Sequence, residues 1–317
     1  MACRSISRLR TVIRRVGLLG LLAIDLCPVA LIVLVAPPLC TTLSAQDLPS
    51  NTDRPTPEEP QTPVGTPASS TGTGSEDTVA AAKDAAQNPL ASTISVPFQN
   101  NTFFNVGPYR RTENGLIIEP VIPFKLNENW NLITRTIVPV IYEPQVSPSQ
   151  GSDFGLGNIN PQFFLSPARS GQIIWGGGPQ LWLPTATSKS LGINKFGGGP
   201  AVVALTKRGH WLVGTLVGNV WAGTGGTHYN QMTITPLVFY NMQKGWYVMY
   251  VANMTANWVG SANDRWTMPV GAGFGRVFKV GKQPLNARTQ IFNNVLRPNV
   301  GPAWTFQTQL QFVFVKK

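Results

Sequence analysis

Residues able to do chemistry are few in this chain of 317. The two histidines, His210 and His228, lie apart, and the three cysteines, Cys3, Cys27 and Cys40, all fall within the first 40 residues. A zinc-type centre draws on clustered Cys and His side chains, and no such cluster exists here. A Ser–His hydrolytic pair needs a serine beside its histidine; the neighbours of His228 are Thr224 and Thr227. Three glycine runs, Gly176-Gly-Gly-Pro-Gln-Leu-Trp-Leu, Gly197-Gly-Gly-Pro-Ala-Val-Val-Ala-Leu and Gly271-Ala-Gly-Phe-Gly-Arg, look at first like phosphate cradles. No Gly-Lys-Ser/Thr follows them and no helical periodicity begins there. They read instead as strand glycines that permit curvature or bulges. No catalytic, cofactor-binding or metal-ligating residue is expected. What remains are three isolated charges, Glu119, Arg135 and Arg288, whose meaning depends on the elements that carry them.

Those elements are strands with strict two-residue alternation. Trp246, Val248, Tyr250, Ala252, Met254, Ala256 and Trp258 share one face, and Tyr247, Met249, Val251, Asn253, Thr255 and Asn257 the other. The last segment sets Trp304, Phe306, Thr308, Leu310, Phe312 and Phe314 against Thr305, Gln307, Gln309 and Gln311. Residues 285–295 repeat the pattern, with Leu285, Ala287, Thr289 and Ile291 opposite Asn286, Arg288 and Gln290. Trp246 and Trp258 stand roughly 40 Å apart along a strand, or about 30 Å along the axis of a barrel tilted by ~40°. That is close to the ~25 Å apolar band, flanked by aromatic girdles, of outer-membrane barrels. Trp246, Trp258, Trp266 and Trp304 are the candidate girdle residues. An apolar outside and a polar inside invert the pattern of a soluble barrel, so the fold class expected is all-β, a transmembrane antiparallel up-and-down barrel.

Composition agrees. Only 12% of residues are charged against 43% hydrophobic, and 31 glycines with 27 prolines disfavour helices. Residues 1–45 have the form of an export signal, with a basic stretch at Arg4, Arg8, Arg10, Arg14 and Arg15, an apolar run to Ala36, and a small-residue site at Leu43-Ser-Ala45. The rival reading is a transmembrane anchor, since the apolar run is long. Neither Cys27 nor Cys40 sits in a lipoprotein motif, and cleavage would leave a chain without cysteine. Residues 46–88 form a Pro/Ser/Thr-rich acidic linker, with a short helix expected over 75–88 on Ser75 as N-cap. The formal charge of +11 splits into +4 over 1–45, −5 over 46–88 and +12 over 89–317. The basic excess suits anionic lipid or an anionic solute better than nucleic acid.

From residue 93 onward the sequence divides into twelve strands, 93–104, 115–124, 130–141, 153–165, 171–183, 195–206, 210–222, 229–242, 245–258, 265–280, 284–296 and 302–315; ten and fourteen are the neighbouring even counts. Connections alternate, with tight turns at 125–129, 166–170, 207–209, 243–244 and 281–283, and longer ones such as 105–114, 142–152 and 184–194. Short periplasmic turns and long external loops are the habit of outer-membrane barrels. The expected bore-lining residues are Glu119, Arg135, Arg288, Asn158, Asn160, Gln162, Gln307, Gln309 and Gln311, with Gln231 and Thr233. Charges at membrane depth are costly unless they face water or a partner; Glu119 and Arg135, on neighbouring strands, either pair with each other or line a conduit. Arg276 falls on the apolar face, where it snorkels to an interface or a bulge at the 271–275 glycines resets the register.

The stretches Asn88-Pro-Leu-Ala-Ser-Thr-Ile-Ser-Val-Pro-Phe-Gln-Asn-Asn-Thr102, Glu119-Pro-Val-Ile-Pro-Phe124, Trp130-Asn-Leu-Ile-Thr-Arg-Thr-Ile-Val-Pro-Val140, Gly155-Leu-Gly-Asn-Ile-Asn-Pro161 and Leu183-Pro-Thr-Ala-Thr187 resemble a bacterial family of outer-membrane transporters. That family is grouped with the MetA-pathway of phenol degradation proteins, some members of which carry a mistaken neuromedin U label. The resemblance runs over about 88–315 and implies a barrel with a transport role, but no site residues. The chain departs from it in ending Phe-Val-Lys-Lys and in its acidic linker.

The function expected is a diffusion channel for small molecules, aromatic or hydrophobic ones among them, in the bacterial outer membrane. The alternatives are a non-conducting structural or adhesion barrel and a soluble β-sandwich. No enzyme activity and no cofactor is expected. The partners are outer-membrane lipid, the barrel-assembly machinery during insertion and an unidentified solute, with no nucleic acid. Twelve strands enclose a bore that side chains and a short segment such as 75–92 can largely fill.

Overall fold

A computed structural model describes residue 79 and residues 82–223 and 229–314. Residues 1–45, expected to be an export signal, most of the expected linker, Ser75, His228 and the last three residues lie outside the described residues.

Fifteen strand segments form twelve staves. They are β1 (Ile94–Val106), β2 (Arg111–Ile118) with β3 (Val121–Lys125), β4 (Trp130–Glu143), β5 (Asp153–Leu156) with β6 (Asn160–Pro167), β7 (Ile173–Trp182), β8 (Gly197–Arg208) and β9 (Trp211–Ala222). β10 (Tyr229–Asn241), β11 (Trp246–Val251) with β12 (Met254–Asn257), β13 (Trp266–Val280), β14 (Gln283–Leu296) and β15 (Trp304–Phe314) complete the set. Each stave pairs antiparallel with the next in sequence, and β15 returns to pair with β1 from Ile94↔Phe314 to Phe104↔Trp304. The barrel is therefore closed, which removes the unpaired edge that lipid could not satisfy. The twelve expected strands are present. The first long connection is shorter than expected, however: β1 runs to Val106 and β2 begins at Arg111, paired Val106↔Arg111.

Three staves are broken where the sequence reading drew one strand. Proline, which cannot donate to a ladder, accounts for two of the breaks. Pro120 interrupts β2/β3, and opposite the β11/β12 gap, β10 carries Pro236 between residues paired with Val251 and Met254. At the second gap the Gln290 side-chain amide replaces the missing ladder, accepting from Val251 N–H at 3.0 Å and donating to Val251 C=O at 3.1 Å. The β5/β6 gap at 157–159 is filled by the following long loop: Ile159 N–H donates to Thr185 Oγ1, and the Thr185 hydroxyl donates to Gly157 C=O, both at 2.9 Å.

Alternation runs through the wall. In β15, Trp304, Phe306, Leu310 and Phe314 are exposed, and Thr305, Gln309, Gln311 and Val313 are buried. Along β13 the exposed even positions continue unbroken from Val270 to Arg276, and the β13–β14 register is regular from Pro269 to Val280. No bulge resets it. Arg276 lies on the outside near the terminal end, where β1 begins and β15 ends, over the Trp246 ring (5.3 Å to the centroid) and donating to Lys244 C=O at 3.4 Å. It snorkels.

The interior is not polar throughout, as the alternation alone led one to expect. Near the terminal end it is apolar, built on Phe164, Leu205, Leu212, Phe239, Tyr247 and Val313. Residues 82–87 are helical, and Ala82, Ala85, Ala86, Leu90 and Ala91 are buried in that same cluster. The described part of the segment read as linker thus sits inside the barrel. A run of alanines has the small cross-section needed for this, and inward-facing Gly176 gives it room: a Cβ there would meet Leu90 at 3.1 Å.

Candidate functional site

Above the inserted segment lies a cavity of ≈ 170 Å³. Its floor is formed by Ala85, Ala86, Gln87 and Asn88; one part of its wall is apolar (Leu216, Leu237, Phe239, Val251) and another is charged and polar (Glu119, Arg135, Arg288, Gln99, Gln309). The local sequence sets each charged group. Glu119 immediately precedes Pro120 at the β2/β3 break, and Val121 pairs with Arg135, so the carboxylate meets the guanidinium on the neighbouring stave. The contact is bidentate, with Arg135 Nε to Oε1 at 2.6 Å and Nη2 to Oε2 at 2.9 Å, while Nη1 donates to Gln162 Oε1 at 2.9 Å. Both side chains are about one-fifth exposed, 20% and 21%, so the pair borders the cavity rather than being sealed from it. Of the two readings open for these charges, pairing and lining, the geometry combines both.

Arg288 has a different setting. It lies in a row that crosses the wall, Gln99↔Gln309↔Arg288↔Gly275↔Tyr247. One N–H, on Nη2, donates to Gln99 Oε1 at 3.1 Å, and its buried Nε has no acceptor. A Cβ at Gly275 would collide with the Tyr247 hydroxyl, so only glycine lets that ring lie across the row. Tyr247 donates to Asn286 Oδ1 at 2.7 Å.

Of the remaining residues expected in the bore, Gln307, Gln309 and Gln311 line the cavity, and Asn158, Asn160, Gln162 and Gln231 are placed elsewhere. Gln307 and Gln311 are also bonded. Gln307 donates to Asn101 Oδ1 at 2.9 Å and accepts from Gln290 at 2.6 Å. Gln311 donates to Ala85 C=O at 3.0 Å, gripping the inserted segment. Gln162 donates to Asn160 Oδ1 and Gln180 Oε1, a buried amide relay beside the ion pair. Asn158 is engaged elsewhere, donating to Leu183 and Ile193 C=O at 2.6 and 2.7 Å and so pinning the 183–196 loop. Gln231 and Thr255 line a separate recess of ≈ 390 Å³ at the loop end.

Sequence reasoning missed Gln99 and Gln180, inward members of alternating strands and so findable by period alone, and it placed Asn286 and Gln290 on the polar face without naming them as bore-lining residues. It also missed two further ties of the inserted segment. Asp84 Oδ1 lies 2.7 Å from Lys207 Nζ, and the amides of Gln87 and Asn241 exchange hydrogen bonds of 2.7 and 3.1 Å. Nothing in period or composition links positions so distant. Partial burial, with the Lys207 ammonium nearby, holds Lys83 below the usual lysine range. His210 sits in a turn at the same end, its Nδ1 2.9 Å from Asn241 C=O.

Outside, the tryptophans form two bands. Trp246 stands at the terminal end with Trp130, Trp175 and Trp211; Trp258, Trp266 and Trp304 stand at the loop end with Trp221. Trp258 and Trp266 pack edge to face at 5.8 Å.

A closed antiparallel wall of twelve staves, apolar outside and polar within, is the architecture of an outer-membrane β-barrel, and this chain is one. No family model matches it, and no curated protein matches it. Among solved structures, an outer membrane channel from Pseudomonas putida F1 superposes with a TM-score of 0.52 at 15% identity, over 70% of this chain and 95% of that one. Outer membrane phospholipase A from Escherichia coli (TM-score 0.37, 14% identity, 74% of this chain and 98% of that one covered) and a FadL homologue from Pseudomonas aeruginosa (0.34, 8%, 73% and 92%) are more distant. The likeness to the channel bears on the fold alone.

Proposed function

We propose that the barrel is a channel for small, largely apolar molecules, held shut at rest by its own residues 82–91. Membership in the phenol-degradation group of transporters, on the motifs quoted above, is part of the same proposal. The observation that supports it is the bore cavity: a space of ≈ 170 Å³, part apolar and part charged, directly above a segment tied to the wall by a handful of polar contacts. A barrel serving only as a scaffold has no need of an internal space with a lining of mixed character. The tryptophan bands suit the two membrane interfaces, and by the habit of outer-membrane barrels the terminal end faces the periplasm. Residues 1–45 would direct export.

The test is single-channel recording in planar bilayers together with uptake of a neutral aromatic probe such as toluene into proteoliposomes. Conduction that is small and intermittent, with measurable probe uptake, is the expected outcome. Well-inserted protein that passes neither ions nor probe would point to the non-conducting alternative.

A further inference from the structure

The guanidinium of Arg288 is bonded to no carboxylate among the described residues. It offers five N–H donors, and one of them has a protein acceptor. Glu119, the one carboxylate among the described residues that borders the same cavity, already has both oxygens on Arg135. The three charged groups around the space therefore leave one net positive charge. Gln309, its cross-strand neighbour, also borders the cavity.

Holding an unpaired charge at such depth is costly, and a carboxylate, with two oxygens matched to the guanidinium fork, is the group that offsets the cost best. The opposite side of the cavity is hydrocarbon, from Leu216, Leu237, Phe239 and Val251. The size is also informative: an engineered cavity of about 150 Å³ accepts benzene, and this one measures ≈ 170 Å³.

We propose that the bore cavity is a binding site for a small organic monoanion, a single apolar ring bearing a carboxylate, with Arg288 as the residue that recognises the anion and Gln309 as an auxiliary amide donor. The proposal rests on the channel reading and narrows its solute class. An uncharged ring fills the apolar side but leaves Arg288 unsatisfied, and a site built around a polar partner discriminates strongly against ligands that lack it.

The experiment is calorimetric titration of the detergent-solubilised full chain with benzoate and with its neutral isostere benzamide, at about pH 7, where a carboxylic acid of pKa ~4 is ionised. The wild type is expected to bind benzoate at least about tenfold more tightly than benzamide, a gap of ~1.4 kcal/mol. In Arg288→Gln the preference should vanish while benzamide binding stays within about twofold, and Arg288→Lys, keeping charge but losing the fork, should fall between. Gel heat-modifiability reports whether each variant is folded; if neither folds, the wild-type comparison alone decides. Equal affinities in the wild type, or a preference that survives in Arg288→Gln, would overturn the proposal. Toluene uptake separates the two readings: uptake without benzoate preference leaves the channel and removes the anion site, whereas benzoate preference without uptake of toluene or current does the reverse.

Discussion

Asp84 and Lys207, 123 positions apart, meet at 2.7 Å across the terminal mouth of the barrel. With the Gln87–Asn241 amide pair and the Gln311–Ala85 bond, this contact fastens residues 82–91 inside the bore. The ion pair is half exposed on the lysine side, 51%, so its share is small, about 0.5 kcal/mol. The amide pair, with Gln87 buried, contributes more, about 1–2 kcal/mol.

Loosening both ties should open the channel. Asp84→Asn combined with Gln87→Ala is expected to raise the open fraction roughly tenfold to thirtyfold, as a shift of ~2 kcal/mol in a two-state equilibrium requires. Open probability in planar bilayers reads this directly. An unchanged value would mean that apolar burial and the Gln311–Ala85 bond keep the segment in place without these ties.

The Glu119–Arg135 pair tests the wall. Glu119→Gln removes the charge that satisfies Arg135 and leaves Gln162 as its remaining strong acceptor. Breaking a fully buried pair costs 3–5 kcal/mol; because this one borders a cavity, about 2 kcal/mol is the expected loss in urea unfolding. A loss below ~0.5 kcal/mol would show the pair to be solvated like a surface bridge.

Facing can be checked by charge as well as by probe. Phe306 is 40% exposed on the outer face and Gln307 faces inward beside Asn101. Phe306→Arg should cost roughly 2–4 kcal/mol in refolding into lipid if it lies near the midplane, and less towards an interface. Spin labels at Leu310 and Gln309 should report lipid contact at the first and none at the second. The reverse pattern would remove the barrel reading itself.

One loop tie depends on pH. Asp264 accepts from Asn299 N–H at 2.8 Å and from the Ser261 hydroxyl at 2.9 Å. The Asn299 N–H, more than the Ser261 hydroxyl, holds its carboxyl below the ordinary value of 3.8. A carboxylate with a depressed folded pKa stabilises above its unfolded value and loses that contribution as pH falls through the folded one. Protection of the Asn299 amide from hydrogen exchange should therefore hold steady down to about pH 4 and fall below it, and Asp264→Asn should weaken it at neutral pH.

The sequence alone determined the wall. Side chains alternate with period two whatever the partner strand, so oily and polar faces, the strand count and the outward tryptophans are all written locally in segments such as 246–258 and 304–314. Glu119 and Arg135 could be paired on paper because they lie on consecutive staves. The three gaps in the staves were harder: Pro120 and Pro236 are visible, but whether a proline breaks a strand depends on which neighbour needed its N–H. The sequence offered a segment such as 75–92 as a filler of the bore; only tertiary structure decided which of its residues enter and what holds them. Residues 82–91 have an unremarkable alanine-rich composition, and only closure of the barrel creates the apolar pocket into which they fit. The same closure brings Asp84 to Lys207 and Gln87 to Asn241 and leaves Arg288 bonded to no carboxylate among the described residues. Periodicity is a property of neighbours in sequence; contacts across a closed bore are set by curvature and register, which exist only once the last strand has met the first.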